Sequence, residues 1–297
     1  MTELSNDSHL SQLLTLNSTI STHMHCYISR SGSFTAQGIT NIILLLPLCI
    51  FILCHGLREW QQKHSTPSFT LSHSDSITYH MVIMELIGVI GSMLLCCGIY
   101  KVDFNILQMS VFHFSFTWFG QTFFHMLTCV EHYVAVVHPI TYLSLRNEKG
   151  IRIRNITVGC VWLLCFVGLG LVTIKYYFII GDFLLLILAL TVVSFCSFSV
   201  LCVLIRSGPG KQGERKEKVD QSKQRAFYTI VTILGVLVLR FSCGLSRAVM
   251  FVSLGYEHCG LTISEFWLTA SSSLVLPFLF LQRARKRVCF ERTQSPN

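Results

Sequence analysis

Charged residues are scarce in this chain of 297 residues. Asp, Glu, Lys and Arg make up 13% of it, about half of the share that soluble proteins carry. Apolar residues make up 52%, and the mean hydropathy is +0.56. A soluble chain of this length needs roughly two domains' worth of polar surface, which this sequence lacks. The composition therefore predicts an integral membrane protein.

Motifs of the common enzyme classes are also missing. The chain has no H-E-x-x-H metal cluster, no G-x-S-x-G elbow and no phosphate-binding loop. We therefore expect a protein that is not an enzyme and that holds no metal and no cofactor. The basic residues are not interleaved with aromatic residues, so nucleic acid is not an expected partner.

Two further patterns are absent. Apolar and polar residues do not alternate with period two, which disfavours a membrane β-barrel. No internal or inverted repeat is present, which disfavours a transporter. Helices are the remaining way to cross a bilayer, because their backbone groups are satisfied within the segment.

Seven runs of mainly apolar residues have the length of about 17–25 residues that crosses a bilayer as a helix. Most contain Ser, Thr, His or Gly, as is typical of helices packed in a bundle. The sequence therefore predicts an all-α membrane protein with a seven-transmembrane helix bundle, and the third helix is expected to continue to about Val137. The runs lie at approximately 39–57, 77–100, 105–130, 156–174, 183–205, 226–254 and 262–281.

Basic residues set the predicted orientation. Of the 23 lysines and arginines, 18 lie in loops on one side of the predicted bundle and 3 on the other. The positive-inside rule then places the N-terminus outside and the C-terminus in the cytoplasm. The predicted parts are an extracellular tail (1–37), the transmembrane domain (38–281) and a short cytoplasmic tail (282–297). The tail at 1–37 lacks the pattern of a cleavable signal peptide.

Several residues outside the predicted spans are candidates for modification. Asn6 and Asn17 begin N-x-S/T tripeptides on the predicted outer side and are glycosylation candidates. Cys26 and Cys259 lie on the same oxidising side, and whether they form a disulfide depends on a Cα distance that sequence does not supply. Cys289 follows a basic run and is either palmitoylated or a free thiol.

The stretch from Glu131 to Tyr142 has the layout E-x-Y-x-A-V-x-x-P-x-x-Y. It resembles the cytoplasmic end of the third helix, and the inner loop after it, in rhodopsin-like (class A) G-protein-coupled receptors. Glu131, Tyr133, Pro139 and Tyr142 match position by position. The resemblance extends over about 38–290, and within the class the chain looks like the divergent orphan receptors expanded in fish.

The resemblance implies a multi-pass receptor of the plasma membrane. Such a receptor senses an extracellular ligand and signals to a heterotrimeric G protein by moving its sixth helix. It also implies a short amphipathic helix after the seventh span, whose basic face suits anionic membrane lipids. A receptor-like scaffold or decoy with weak or no G-protein coupling is the alternative function.

Several switch positions of the class are altered here. His132 stands where the class has an Arg, and a histidine lacks the planar donor fork of a guanidinium. The seventh run reads Leu276-Pro277 and then Phe280, where the class has Asn-Pro-x-x-Tyr. Pro277 matches, whereas Leu276 and Phe280 lack the amide and the hydroxyl. These changes predict weak or altered G-protein coupling.

Two ionisable residues lie inside predicted spans. A charge at mid-depth of a bilayer costs several kcal/mol unless it is paired or hydrated, so Glu85 and Arg240 are predicted to be coupled, directly or through water. The alternative is that Arg240 snorkels to the membrane surface or lines a wet cavity. Glu85 aligns with an Asp that helps to bind sodium in the class, and a longer side chain leaves that role open.

Aromatic residues and one histidine are the candidates for a ligand pocket in the outer half of the bundle. Phe114 stands where amine receptors carry an Asp, which disfavours an amine ligand. Phe241 stands where the class has a Trp. Plain packing is the alternative for each member of this set, which comprises His113, Phe114, Trp118, Phe241 and Trp267.

Overall fold

The computed structural model describes residues 27, 29–63, 73–144, 147–172, 175–206, 214–254, 259–274 and 277. Within these ranges every regular element is an α-helix, as the sequence predicts. The helices are α1 (Ser31–Lys63), α2 (His73–Lys101), α3 (Phe104–Val137), α4 (Pro139–Ser144), α5 (Glu148–Val172), α6 (Lys175–Arg206) and α7 (Glu214–Leu254). Residues 259–274 form the last of them, α8.

Five of the described helices contain a segment that is long and apolar enough to cross a membrane. These segments coincide with the first, second, fourth, fifth and sixth predicted runs, and they indicate a multi-pass membrane protein. They are Ser31–Arg58, Ser76–Lys101, Glu148–Gly170, Gly181–Ile205 and Phe227–Ser246.

Helix α3 covers the third predicted run and lies at the centre of the bundle. It packs against α2, α5, α6 and α7. Its 34 residues extend over about 51 Å at 1.5 Å per residue. The polar side chains that lower its hydropathy face protein instead of lipid, because neighbouring helices bury them. These buried residues are Ser110, Ser115, Thr117, Gln121, Thr122, His125, Thr128 and Glu131.

The ends of α3 follow from local chemistry. At its start, the carboxylate of Asp103 accepts hydrogen bonds from the backbone amides of Asn105 and Ile106, at 2.9 and 3.3 Å, which satisfies two amides of the first turn. At its end, Pro139 disfavours a helical conformation for the residue before it. Helix α3 therefore ends at Val137, as predicted, and α4 begins at Pro139.

Close packing joins α3 to its neighbours. A Cβ atom on Gly120 would lie 2.5 Å from the Met84 side chain of α2, and one on Gly168 of α5 would lie 2.6 Å from the Phe119 ring. Only glycine fits at these contacts without displacing a neighbour. Trp162 of α5 also donates a hydrogen bond from its indole nitrogen to Nδ1 of His80, at 3.4 Å. Helices α2, α3 and α5 thus form one closely packed side of the bundle.

Candidate functional site: a buried polar network

Polar side chains of α2, α3, α6, α7 and α8 meet in the interior of the bundle. We call this set the buried polar network. Glu85 is 1% exposed, Gln121 0% and Arg240 8%, so bulk solvent does not screen these groups. The network consists of Glu85, Trp118, Gln121, Asp182, Arg240, Thr269, Ser272 and Ser273.

The amide of Gln121 joins the buried acid to the buried base. Its Nε2 donates to Oε1 and Oε2 of Glu85, at 3.1 and 3.2 Å. Its Oε1 accepts from Nη1 of Arg240, at 3.4 Å. Glu85 and Arg240 therefore lie at opposite ends of one amide, and that geometry offers a path of coupling through a side chain.

Helix α8 contributes hydroxyl groups to both ends of the same amide. Nε2 of Gln121 lies 2.6 Å from Oγ of Ser273, and the Ser272 hydroxyl donates to Oε1 of Gln121 at 3.2 Å. The guanidinium of Arg240 donates to Oγ of Ser272 at 3.4 Å and to Oγ1 of Thr269 at 3.1 Å. Three hydroxyls at helical spacing thus fix α8 against α3 and α7.

An aromatic ring covers the remaining face of Arg240. Its Cζ atom lies 3.3 Å from the centroid of the Trp118 ring, a cation–π contact of the kind that stabilises a desolvated guanidinium by about 2 kcal/mol. The indole nitrogen of Trp118 donates in turn to Oδ1 of Asp182 on α6. The carboxylate of Asp182 thereby polarises the ring that holds Arg240.

The predicted pocket residues do not all share one place. Trp118 belongs to the buried polar network, and Phe241 packs edge-on against Phe183 with ring centroids 6.3 Å apart. His113 bonds through Nδ1 to the carbonyl of Met109 on its own helix, at 2.8 Å. These three side chains therefore have separate partners.

The other two pocket candidates also separate. Phe114 packs edge-on against Phe266 of α8, with centroids 5.1 Å apart. Trp267 follows Phe266 in sequence and is 39% exposed. Because adjacent residues of a helix point about 100° apart, the two aromatic side chains of α8 lie on different surfaces.

The motif residues lie at the other end of α3. Glu131 is 6% exposed, and the hydroxyl of Tyr142 donates to its Oε1 at 3.4 Å. The hydroxyl of Tyr133 lies 3.3 Å from Nε2 of His138. Pro139 sets the corner that turns α4 back toward Glu131. His132 is half-buried beside them.

Helix α4 also presents two apolar side chains that the motif comparison missed. Ile140 is 84% exposed and Leu143 is 62% exposed, and no residue of α4 is buried. Their spacing of three residues places both on one face of the helix. That spacing is readable in the sequence once the segment is taken as helical.

Some predicted sites lie outside the described residues, namely Asn6, Asn17, Cys26, Leu276, Phe280 and Cys289. Pro277 is helical and buried. Cys259 is disulfide-bonded, whereas the other cysteines in the described ranges are not in disulfides. Its pairing with Cys26 stays a prediction.

Comparison with protein families and with curated proteins gives no relative. No protein-family model matches the sequence, and no curated protein matches it.

The residues that sequence reasoning missed in the network are Gln121, Asp182, Thr269, Ser272 and Ser273. An amide in the middle of the third apolar run, and the run of three serines at 271–273, are the signals that point to Gln121, Ser272 and Ser273.

Proposed function

We propose that the protein is a seven-helix receptor of the rhodopsin-like, G-protein-coupled class, located in the plasma membrane with its N-terminus outside. It senses an extracellular ligand and signals to a cytoplasmic heterotrimeric G protein, with weak basal coupling. The observation that carries the proposal is the attachment of Arg240 on α7 to hydrogen-bond acceptors of α3 and α8. Displacing α7 must break these bonds, so the network is suited to control such a movement.

Two helices complete the proposed count of seven spans. Helix α3 is long enough to cross a bilayer core of about 30 Å, and its polar residues are covered by other helices. Helix α8 starts at residue 259, and the seventh apolar run continues to about residue 281. The basic loops then fall on the side that carries the C-terminus, which supports the proposed orientation.

The exposed face of α4 supports contact with a transducer. Ile140 and Leu143 project from a helix that directly follows the Glu131 motif. Exposed apolar residues on one helix face are typical of a surface that docks a partner. In the proposed orientation this face lies in the cytoplasm, where a G protein is available.

The test of the proposal is G-protein activation by His132→Arg. The substitution restores the donor fork at the switch position, so we expect constitutive signalling at least several-fold above wild type at matched surface expression. His132→Lys is the matched control, since it adds charge without the fork and should give a smaller rise. Equal, negligible activation by all three chains across the G-protein classes would contradict the proposal.

A receptor-like scaffold or decoy is the second candidate. It is favoured by the bond from Tyr142 to Glu131, which holds the acidic residue of the motif without an arginine at position 132. A scaffold predicts normal surface expression and no activation by wild type or by His132→Arg. The same panel of assays therefore separates the two candidates.

A further inference from the structure

Four aromatic rings meet at the N-terminal end of the bundle, and we call them the aryl cluster. Tyr27 and Phe34 have ring centroids 4.6 Å apart. Phe266 of α8 meets Phe34 edge-on at 5.5 Å and Phe114 of α3 edge-on at 5.1 Å. Tyr27 also meets Phe266 edge-on, at 6.3 Å. Edge-on and tilted contacts at these distances are favourable aromatic geometries.

The walls of the cluster are built without Tyr27. Phe34, Phe114 and Phe266 belong to α1, α3 and α8, and Phe266 contacts both of the other rings directly. Aliphatic residues of α2 and α3 close the floor, with Leu95 0% and Leu107 2% exposed. The three rings and the two leucines thus form an apolar recess, and all five side chains belong to helices.

Tyr27 comes from the segment that precedes α1, yet its side chain is 8% exposed. Tyr27 is itself helical, and its ring packs against Phe34 and Phe266, so its burial includes a fit of the ring to the recess. Complete burial of an aromatic side chain is worth about 1.5–3 kcal/mol, which favours the buried position of the Tyr27 ring. The disulfide-bonded Cys259 packs at the edge of the same cluster.

We propose that the aryl cluster is a binding site for an aryl group and that Tyr27 is its resident, intramolecular occupant. The recess takes a phenyl or phenol ring, and a ligand carrying such a ring enters by displacing Tyr27. Binding of the ligand ring depends on displacement of Tyr27. It does not depend on G-protein coupling.

The site is placed to influence the buried polar network. Phe114 lies one helical turn from Trp118, and Phe266 lies three residues from Thr269, which holds Arg240. Residues three or four apart share a helix face. Exchange of the ring that contacts Phe266 therefore acts on α8, one of the helices that hold the guanidinium.

The test uses a reporter cysteine in the cluster. Ile263, a half-buried member of the cluster, is replaced by cysteine. Its labelling by a hydrophilic maleimide is followed by peptide mass spectrometry in nanodiscs, where both faces of the protein are accessible. We expect labelling about tenfold faster with Tyr27→Ala, since losing the aromatic contacts costs about 1.4 kcal/mol of protection. Tyr27→Phe keeps the ring and should label much more slowly than Tyr27→Ala.

Chemical rescue identifies the ligand class. The side-chain analogue p-cresol, added at millimolar concentration, should restore slow labelling in Tyr27→Ala and leave Tyr27→Phe unchanged, because the recess is vacant in the first variant alone. A Tyr100→Cys reporter, at a side chain that is 88% exposed, should label equally in every background and so verifies equal access of the reagent. Equal labelling of Ile263→Cys with and without Tyr27→Ala, or p-cresol protection of both Tyr27 variants alike, overturns the proposal.

Discussion

At the scale of single residues, Gln121 forms hydrogen bonds with four other members of the buried polar network. Its amide donates to Glu85 and to the Ser273 hydroxyl, and it accepts from Arg240 and Ser272. A primary amide is suited to this place, because it offers donors on one atom and an acceptor on the other. It can therefore satisfy a carboxylate and a guanidinium at the same time.

Replacing Gln121 by Leu should destabilise the protein strongly. The substitution leaves a buried carboxylate and a buried guanidinium without their shared partner, at a cost of about 3 kcal/mol. Thermal unfolding of the purified protein measures the loss. Thr122→Val is the matched control, since the Thr122 hydroxyl bonds to the carbonyl of Trp118 in its own helix; a similar loss in both variants would contradict a special role for Gln121.

Exchanging the charges of Glu85 and Arg240 should preserve part of the network. An amide can rotate to exchange its oxygen and nitrogen. In the double variant Glu85→Arg/Arg240→Glu, Gln121 can therefore donate to the carboxylate introduced on α7 and accept from the guanidinium introduced on α2. We expect the surface expression of the double variant to exceed that of either single variant. Losses that simply add in the double variant would show that the two sites are independent.

The sequence predicts part of this site for a clear reason. A carboxylate and a guanidinium inside apolar runs stand out because burial of each is costly. Burial of the uncharged Gln121, Ser272 and Ser273 is less costly. These residues do not stand out in the sequence, because polar residues occur in most of the runs. Their convergence depends on how α3 and α8 are rotated about their axes, which is set by packing between distant segments.

At the scale of elements, the corner between α3 and α4 has the clearest origin. Pro139 ends one helix and starts the next, and the bond from Tyr142 to Glu131 closes the corner. The sequence predicts the end of α3 near Val137 from this motif. It does not predict α4 as a helix, because a segment of six residues is too short to show a clear period.

Replacing Ile140 by Asp should abolish coupling to a transducer without affecting folding. Its side chain is 84% exposed, so the change costs little stability, whereas a charge on a docking surface opposes an apolar contact. The comparison is made in the His132→Arg background, where signalling is measurable, at matched surface expression. Tyr100→Asp, near the C-terminal end of α2 and 88% exposed, should leave signalling intact. Undiminished signalling by Ile140→Asp would remove α4 from the docking surface.

Hydropathy predicts the apolar helices better than the polar ones. Five predicted runs coincide with described helices that meet the requirements for a membrane span. Helix α3 carries many polar residues, and the length of its mainly apolar run is what predicts it as a helix.

The helices also extend beyond the predicted runs: α7 begins at Glu214, within a charged segment rich in good helix formers.

For the whole molecule, the bundle is organised around α3. Its neighbours bury the polar side chains that a lipid-facing helix could not carry, and the aryl cluster and the Glu131 motif lie at its two ends. Between them, the buried polar network links five helices. Helix α3 therefore carries residues of all three features.

The proposed receptor function depends on two features that act together, the altered switch at His132 and the fixing of α7 through Arg240. Signalling should be weak while both are present. Restoring the switch with His132→Arg and loosening α7 with Arg240→Met should therefore have effects that reinforce each other. Arg240→Met keeps an unbranched apolar stem, so it limits the loss of packing.

The most direct measurement is G-protein activation, across the G-protein classes, by His132→Arg, Arg240→Met and the double variant at surface expression matched to wild type. We predict weak activation by wild type, a rise in His132→Arg, and the highest activity in the double variant, about tenfold above wild type, which corresponds to about 1.4 kcal/mol of released constraint. Activation of no G protein by any of these chains, all present at the cell surface, would contradict the account.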